Sequence, residues 1–270
     1  MSAKENQPDW DKIGEKFDMW LPQLQAAGNA LIERLGARTG NRVIDIASGT
    51  GEPGLSLARN TGGDIEIVGV DAAEGMVIIA NRKVAEEGLK GVSFSVMPAE
   101  SLQFDNESFD RALCRFGIML YEDPLAGTRE MYRVLKPGGR FAVAVWSAPE
   151  TMLTLHWTYQ VMAPRLPEEV HPPLAKVTSL GGPGVLEDLF FKAGFSDFVV
   201  EAQVLNYQFE SFDEYWDLVV ASDILKMQFD ALPDNEHDIV RNEVGQLARD
   251  FIVDGKFVAP HEYLIAYGTR

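Results

Sequence analysis

The chain has 270 residues, 46% hydrophobic and 24% charged, enough to bury the core of one elaborated domain rather than two equal ones. A formal charge of −17 argues against a nucleic-acid surface or an anionic membrane as the main partner, and the single cysteine, Cys114, excludes an internal disulfide and a thiolate-cluster metal site. The polar start at residues 1–8 reads as no signal peptide and no apolar run nears membrane-spanning length, so the expected setting is cytoplasmic, with no membrane insertion.

Residues 1–40 read as a helical N-terminal cap. Phe17, Trp20, Leu21 and Leu24 share one helical face, Leu31, Ile32 and Leu35 continue the stripe up to Gly36, and Pro22 is placed to divide it into two helices. The segment either packs on a sheet or brings Phe17 and Trp20 over a ligand. Val43, Ile44, Ile46 and Ala47 then form the apolar run of a strand buried on both faces. Gly49, Gly51 and Gly54 follow at once, and Pro53 opens a helix that runs through Arg59. A strand, a Gly-rich loop and a helix N-terminus make a nucleotide site.

The literal G-x-G-x-x-G also fits a dinucleotide, and with it a nicotinamide dehydrogenase. Asp45, four residues before Gly49 at the carboxyl end of the strand, would set a negative charge against a pyrophosphate. S-adenosylmethionine carries an ammonium and a sulfonium, which the same carboxylate attracts. A second apolar strand, 65–70, ends at Asp71, twenty residues beyond Gly51, the separation at which nucleotide folds place an acid for ribose hydroxyls. Met76, Ile79, Ala80 and Val84 mark the inner face of the next helix, closed by Gly88, and the Met76 thioether is placed either against an adenine ring or in the core.

Further strands are expected at 92–96, 109–114 and 141–146. Between the last two, Asp123 caps a helix that starts at Pro124 and stops at Lys136-Pro137-Gly138-Gly139. This alternation predicts a Rossmann-like, doubly wound, mostly parallel sheet with ligands at the carboxyl ends of its strands.

Five stretches stand in the order and approximate spacing of class I S-adenosylmethionine-dependent methyltransferases: 45–51, 69–76, 99–102, 108–110 and 130–140. The match covers about residues 40–147 and most resembles the subgroup of ubiquinone and menaquinone biosynthesis C-methyltransferases and related small-molecule methyltransferases. The resemblance implies a seven-stranded sheet ending in an antiparallel strand pair, with 41–147 as the cofactor-binding core. It implies that Asp45 and the loop Ala47, Ser48, Gly49, Thr50 and Gly51 hold the methionine part of the cofactor. Asp71 would take the ribose hydroxyls, Ala72 and Met76 would border the adenine, Ala99 and Glu100 its other side, and Arg115 and Phe116 the amino-acid end. Many relatives have an acid immediately before the alanine of the third motif. Pro98 stands there, so Glu100 or a main-chain carbonyl must substitute, or the adenine contact is absent.

Beyond residue 147, the segments 148–180 and 209–258 read as helical lid or substrate segments, or equally as a dimer surface. The antiparallel pair is expected at 198–209 and 262–267. Ser211 and Glu214 fit a capping box, and Val240, Val244, Leu247, Ala248 and Phe251 draw an apolar stripe. The four histidines are scattered, with no metal spacing. His156 beside Trp157 is the first candidate for a general base; Tyr121 and Arg115 are placed to reach an acceptor, Arg115 alternatively in a structural ion pair. The reading is a methyltransferase, monomer or homodimer, acting on a small, partly apolar acceptor by C- or O-methylation, with S-adenosyl-L-homocysteine as product. A non-catalytic cofactor-binding partner subunit is the alternative from another class.

Overall fold

The structure is a computed structural model that describes residues 8–62 and 64–270, so the reading of the polar start rests on residues outside that range, Pro8 excepted. Helix α1 (Trp10–Phe17) leads through a 3-10 turn at Asp18–Trp20 into α2 (Leu21–Leu35), where Pro22 sits in the first turn. There its missing N–H is no loss, and the break falls just before it. Gly36, at φ 58°, closes α2 in the left-handed conformation.

The cofactor-type core alternates as expected: β1 (Arg42–Ile46), α3 (Gly54–Asn60), β2 (Glu66–Asp71), α4 (Glu74–Glu87), β3 (Val92–Val96), β4 (Phe109–Arg115), α5 (Pro124–Val134) and β5 (Leu135–Trp146). The Asp123 side chain accepts from the Ala126 amide at 3.0 Å, capping α5. The strand after it begins six residues earlier than its apolar run suggests, because Leu135 already pairs with Phe109. The Lys136–Gly139 stretch then bulges before Arg140 pairs with Arg111.

The chain continues through α6 (Leu153–Met162), α7 (Leu174–Val177), α8 (Val185–Ala193), β6 (Asp197–Phe209), α9 (Phe212–Ala221), α10 (Lys226–Ala231), α11 (His237–Leu247), β7 (Ile252–Val253) and β8 (Lys256–Thr269). The Ser211 hydroxyl accepts from the Glu214 amide, but the Glu214 carboxylate turns to the Glu210 amide, so only half of the expected capping box forms. Within the α11 stripe, Val240, Val244 and Ala248 are buried while Leu247 is exposed.

The sheet runs β3-β2-β1-β4-β5-β8-β6, with the two-residue β7 as an eighth strand on β8 rather than the seven expected. The first five strands are parallel, and β8 and β6 are antiparallel. Chain order reverses at β1, which has β2 on one side and β4 on the other, so the loops after β1 and β4 diverge and open a crevice. β5 pairs with β8 only from Arg140 to Trp146, whereas β6 follows β8 down to Phe209 and Phe257. The β6–β8 ribbon therefore projects past the carboxyl end of β5 and carries side chains over the crevice.

Candidate functional site

The crevice widens into a cavity of about 910 Å³. Its floor is the loop after β1 (Ala47, Ser48, Gly49 and Glu52), the end of β2 (Asp71, Ala72), Met76 and the stretch Met97–Glu100. Arg115, Phe116 and Gly117 line it after β4, and its cover comes from α1, α6, α7 and α9 with the projecting ribbon. Gly49, at φ 53°, turns bare backbone to the site, where an added Cβ would meet no protein atom within 4 Å. Ala47 (φ 54°) and Phe116 (φ 55°), both lining the cavity, adopt the same left-handed conformation without being glycine.

Asp71 ties the floor together. One carboxylate oxygen accepts from the Gly49 amide at 2.8 Å and the other from the Ala73 amide at 2.9 Å, joining the Gly-rich loop to the start of α4. Burial pushes its pKa up, opposed by these amide donors. Asp45 is placed differently from the sequence expectation of a carboxylate facing the ligand. It is fully buried beneath the loop and does not line the cavity. Oδ2 accepts from the Gly54 amide at 3.1 Å, at the N-terminus of α3, and Oδ1 has no hydrogen-bond partner among the described residues. Burial raises its pKa well above the usual carboxylate range, against the attraction of Arg115.

Thr50 and Gly51 also stand off the cavity. The Thr50 hydroxyl donates to Asp18 at 2.5 Å, and Gly51 lies against Leu55 and Phe94. Ala47, Ser48, Gly49, Asp71, Ala72, Met76, Ala99, Glu100, Arg115, Phe116 and Tyr121 are brought together around it. Glu100 Oε1 accepts from the Glu122 amide at 2.9 Å. The Arg115 side chain is half-buried and makes no hydrogen bond or ion pair among the described residues; desolvation lowers its pKa, while Asp45 and then Glu52 act against that. The structural ion pair considered for Arg115 is therefore absent there. Tyr121 is buried with its hydroxyl 3.4 Å from the Cys114 thiol, and burial drives its pKa well up.

His156 is not among the lining residues. Thr154, Leu155 and Thr158 face the cavity from α6, and His156, two positions on from Thr154, is rotated by about 200° round the helix. The histidine behind the wall is His261, on the projecting part of β8. It is fully buried, its Nδ1 lies 2.9 Å from the Ala259 carbonyl and its Nε2 2.9 Å from the Thr154 hydroxyl, and its ring packs on Tyr207 at 4.1 Å. Tyr207 and Tyr215 line the cavity, and no local pattern marked them. Trp146 stacks on Phe116 at 4.1 Å and lines the site, whereas Trp216 packs on Phe212 and Phe229.

Burial depresses the His261 pKa from 6.5 to about 4. The folded protein thus holds it neutral while the unfolded chain takes up a proton as pH falls through 6.5, so its stabilisation is complete above 6.5 and lost on falling toward 4. Asp45 and Asp71, with raised values, act in the opposite sense, so the test is a difference between proteins. Between about pH 7.5 and about pH 5, His261→Gln is expected to lose roughly 2 kcal/mol less unfolding free energy than the native chain in urea titrations. Equal losses would show that His261 is not held neutral.

A strand-reversal crevice, a glycine-turned loop and an acid at the end of β2 make a nucleotide site of Rossmann-like fold, and the family match that follows makes it that of an S-adenosylmethionine-dependent methyltransferase. The observations on this chain fit that cofactor: bare backbone at Gly49, Asp71 at the cavity floor, and two lining residues, Ser48 and Trp20, whose Oγ and Nε1 lack partners among the described residues. The chain belongs to the ubiE/COQ5 methyltransferase family, whose model matches residues 18–175. The nicotinamide dehydrogenase alternative falls with this assignment.

The chain is 42% identical over 115 residues to the ubiquinone/menaquinone biosynthesis C-methyltransferase UbiE of Geobacter sulfurreducens, covering 42% of this chain and 45% of that one. It is 33% identical over 159 residues to the protein of the same name from Geotalea daltonii, covering 54% and 68%. The match thus spans under half of the first relative and about two thirds of the second. Among solved structures, the YcgJ protein of Bacillus subtilis shares the fold at a TM-score of 0.62 and 21% identity, over 91% of this chain and 98% of that one. Phosphoethanolamine N-methyltransferase 2 of Haemonchus contortus, solved with S-adenosyl-L-methionine, shares it at 0.58 and 21%, over 91% and 52%. No helix among the described residues is long and apolar enough to cross a membrane.

Proposed function

We propose that the chain methylates a ring carbon of a small, partly apolar hydroxylated aromatic acceptor, in line with relatives named ubiquinone/menaquinone biosynthesis C-methyltransferase. The observation that carries this reading is the cavity itself. At about 910 Å³ it stands near the upper end of small-molecule sites, with a polar loop-and-acid floor and an aromatic, aliphatic cover, which suits two ligands end to end. Asp71 is the residue for the ribose hydroxyls, Gly49 and Ser48 for the methionine part, and Met76, Ala72 and Ala99 for the adenine faces. The unpaired Arg115 guanidinium suits the cofactor carboxylate. Asp45 acts from below, fixing the α3 N-terminus and balancing the Arg115 charge. The segments 148–180 and 209–258 serve as the lid, since Thr154, Lys176, Tyr215 and Leu225 on them border the cavity.

Bound there, S-adenosylmethionine supplies a methyl group activated by its sulfonium. A ring carbon of the acceptor forms its bond to the methyl carbon as the methyl–sulfur bond breaks, and the ring then loses the proton from that carbon to regain aromaticity. The protein's part is to align the two partners and exclude water. His156 lies outside the lining, and His261 is neutral with both nitrogens engaged, so neither histidine is placed to take that proton.

Incubation with methyl-deuterated S-adenosylmethionine and a short-chain naphthohydroquinone, kept reduced, tests this. The expected product carries the deuterated methyl on a ring carbon by fragment mass. Transfer to oxygen, or none by protein that binds the cofactor, would refute it.

A further inference from the structure

Two basic side chains stand among the described residues that line the cavity, Arg115 after β4 and Lys176 on α7. The cofactor carboxylate takes the first in the reading above. The second has no counterion: the half-buried Lys176 forms no ion pair among the described residues. Its ammonium donates to the Tyr121 carbonyl at 2.7 Å, where α7 packs on the 3-10 turn at Ile118–Leu120. That carbonyl is held in place. The amide of the same peptide unit, on Glu122, donates to Glu100 at 2.9 Å, and the Tyr121 ring is wedged against Gly127, where an added Cβ would stand 2.5 Å from it. One ammonium hydrogen is spent on the carbonyl, and the others remain for a ligand. Pro173 and Val177 beside Lys176 in the chain, and Met119 and Leu120 on the turn, give this part of the cavity apolar walls, so a charge here is weakly screened. The titratable groups joined to it through that peptide are Glu100, Glu122 and the Tyr121 phenol, and the phenol lies against Cys114.

Resting on the methyltransferase reading above, we propose that Lys176 is a specificity-determining residue for the acceptor, selecting a ring hydroxyl that binds ionised, as its phenolate. The other charges of the lining sharpen the choice. Asp9, Asp11, Glu100 and Glu122 border the same cavity, so an anionic oxygen is attracted at Lys176 and repelled along the carboxylates, which fixes the edge of the ring that turns to α7. A neutral ether at that position gains no charge-assisted bond from the ammonium. An ionised oxygen also enriches the ring carbons ortho and para to it, the positions that the proposed transfer uses.

4-Nitrophenol, whose ionised form absorbs in the visible, and its methyl ether 4-nitroanisole test this without turnover. By equilibrium dialysis the native chain is expected to bind the ionised phenol roughly tenfold tighter than the ether, and the visible band of the bound probe should persist to a pH about one unit lower than in water. Lys176→Gln keeps a donor for the Tyr121 carbonyl and removes the charge. It should bind the ether as the native chain does, bring the two probes within about twofold and lose the shift, while Lys176→Arg retains both preference and shift. Equal affinities in the native chain or a shift unchanged in Lys176→Gln would overturn the proposal. So would an equal loss of both probes in that variant, the mark of a tie that only holds α7 in place, or no binding of either probe by folded protein. The difference between native chain and Lys176→Gln is read with and without S-adenosylhomocysteine, so failure to bind that compound strikes the reading of the floor and leaves this test intact. Transfer to oxygen in the deuterium experiment would strike the ring-carbon reading alone.

Discussion

Asp71→Ala is expected to weaken S-adenosylhomocysteine binding by roughly 100-fold or more, the largest functional effect of any single change on the cavity floor. Two losses combine. The carboxylate now holds the Gly49 and Ala73 amides at 2.8 and 2.9 Å, and its removal leaves both donors unpaired and frees the loop from α4. It is also the one acid on the floor at the end of β2, placed for charge-assisted bonds to ribose hydroxyls, each worth about 1.5–3 kcal/mol. Asp71→Asn keeps one acceptor oxygen but presents an amide donor to the other N–H, so an intermediate loss is expected. Calorimetric titration of the three proteins reads the order directly; equal affinity of Asp71→Ala and native chain would remove Asp71 from the site.

Gly69→Val is expected to cost roughly 3 kcal/mol of stability, because overpacking of this strand cannot be relieved locally. Gly69 pairs in register with Phe94, and a Cβ there would stand 2.1 Å from the Phe94 ring. The ring cannot simply withdraw, since its far end lies 3.3 Å from where a Cβ on Gly51 would be, so it props the Gly-rich loop from below. The strain is therefore passed to the cofactor loop, and affinity should fall along with stability. Phe94→Ala alone opens a cavity costing about 3–5 kcal/mol, yet the double variant should be less destabilised than the sum, because the valine partly fills the space the ring vacates. Denaturant midpoints of the four proteins give the coupling. Strict additivity would contradict the contact.

The readable parts of the chain were those set by local chemistry. The strand, glycine loop and helix start at 42–60 and the acid ending β2 announce themselves through residue type and spacing, as did the Asp123 cap. What escaped was set by contacts distant in sequence. Asp45 was expected to face the ligand because it ends its strand, but the loop folds over it, and only the Gly54 amide and Arg115 show where its charge is used. Whether His156 faces the site depends on the rotation of α6, a helix whose polar and apolar residues are too evenly mixed over Leu153–Met162 to reveal its inner face. Tyr207 and His261 reach the site only because β6 and β8 run on together beyond Trp146, a length that alternation within either strand does not disclose. Arg115 was weighed as an ion-pair residue, and its lack of a direct partner emerged only once its surroundings were placed.

A nucleoside-bearing sulfur cofactor is expected to lie between the glycine loop and Asp71. Calorimetry of the native chain with S-adenosylhomocysteine, and with NADH as the comparison, tests this most directly. One saturable site for the former and no heat from the latter is the result expected; no binding of S-adenosylhomocysteine by folded protein would contradict it.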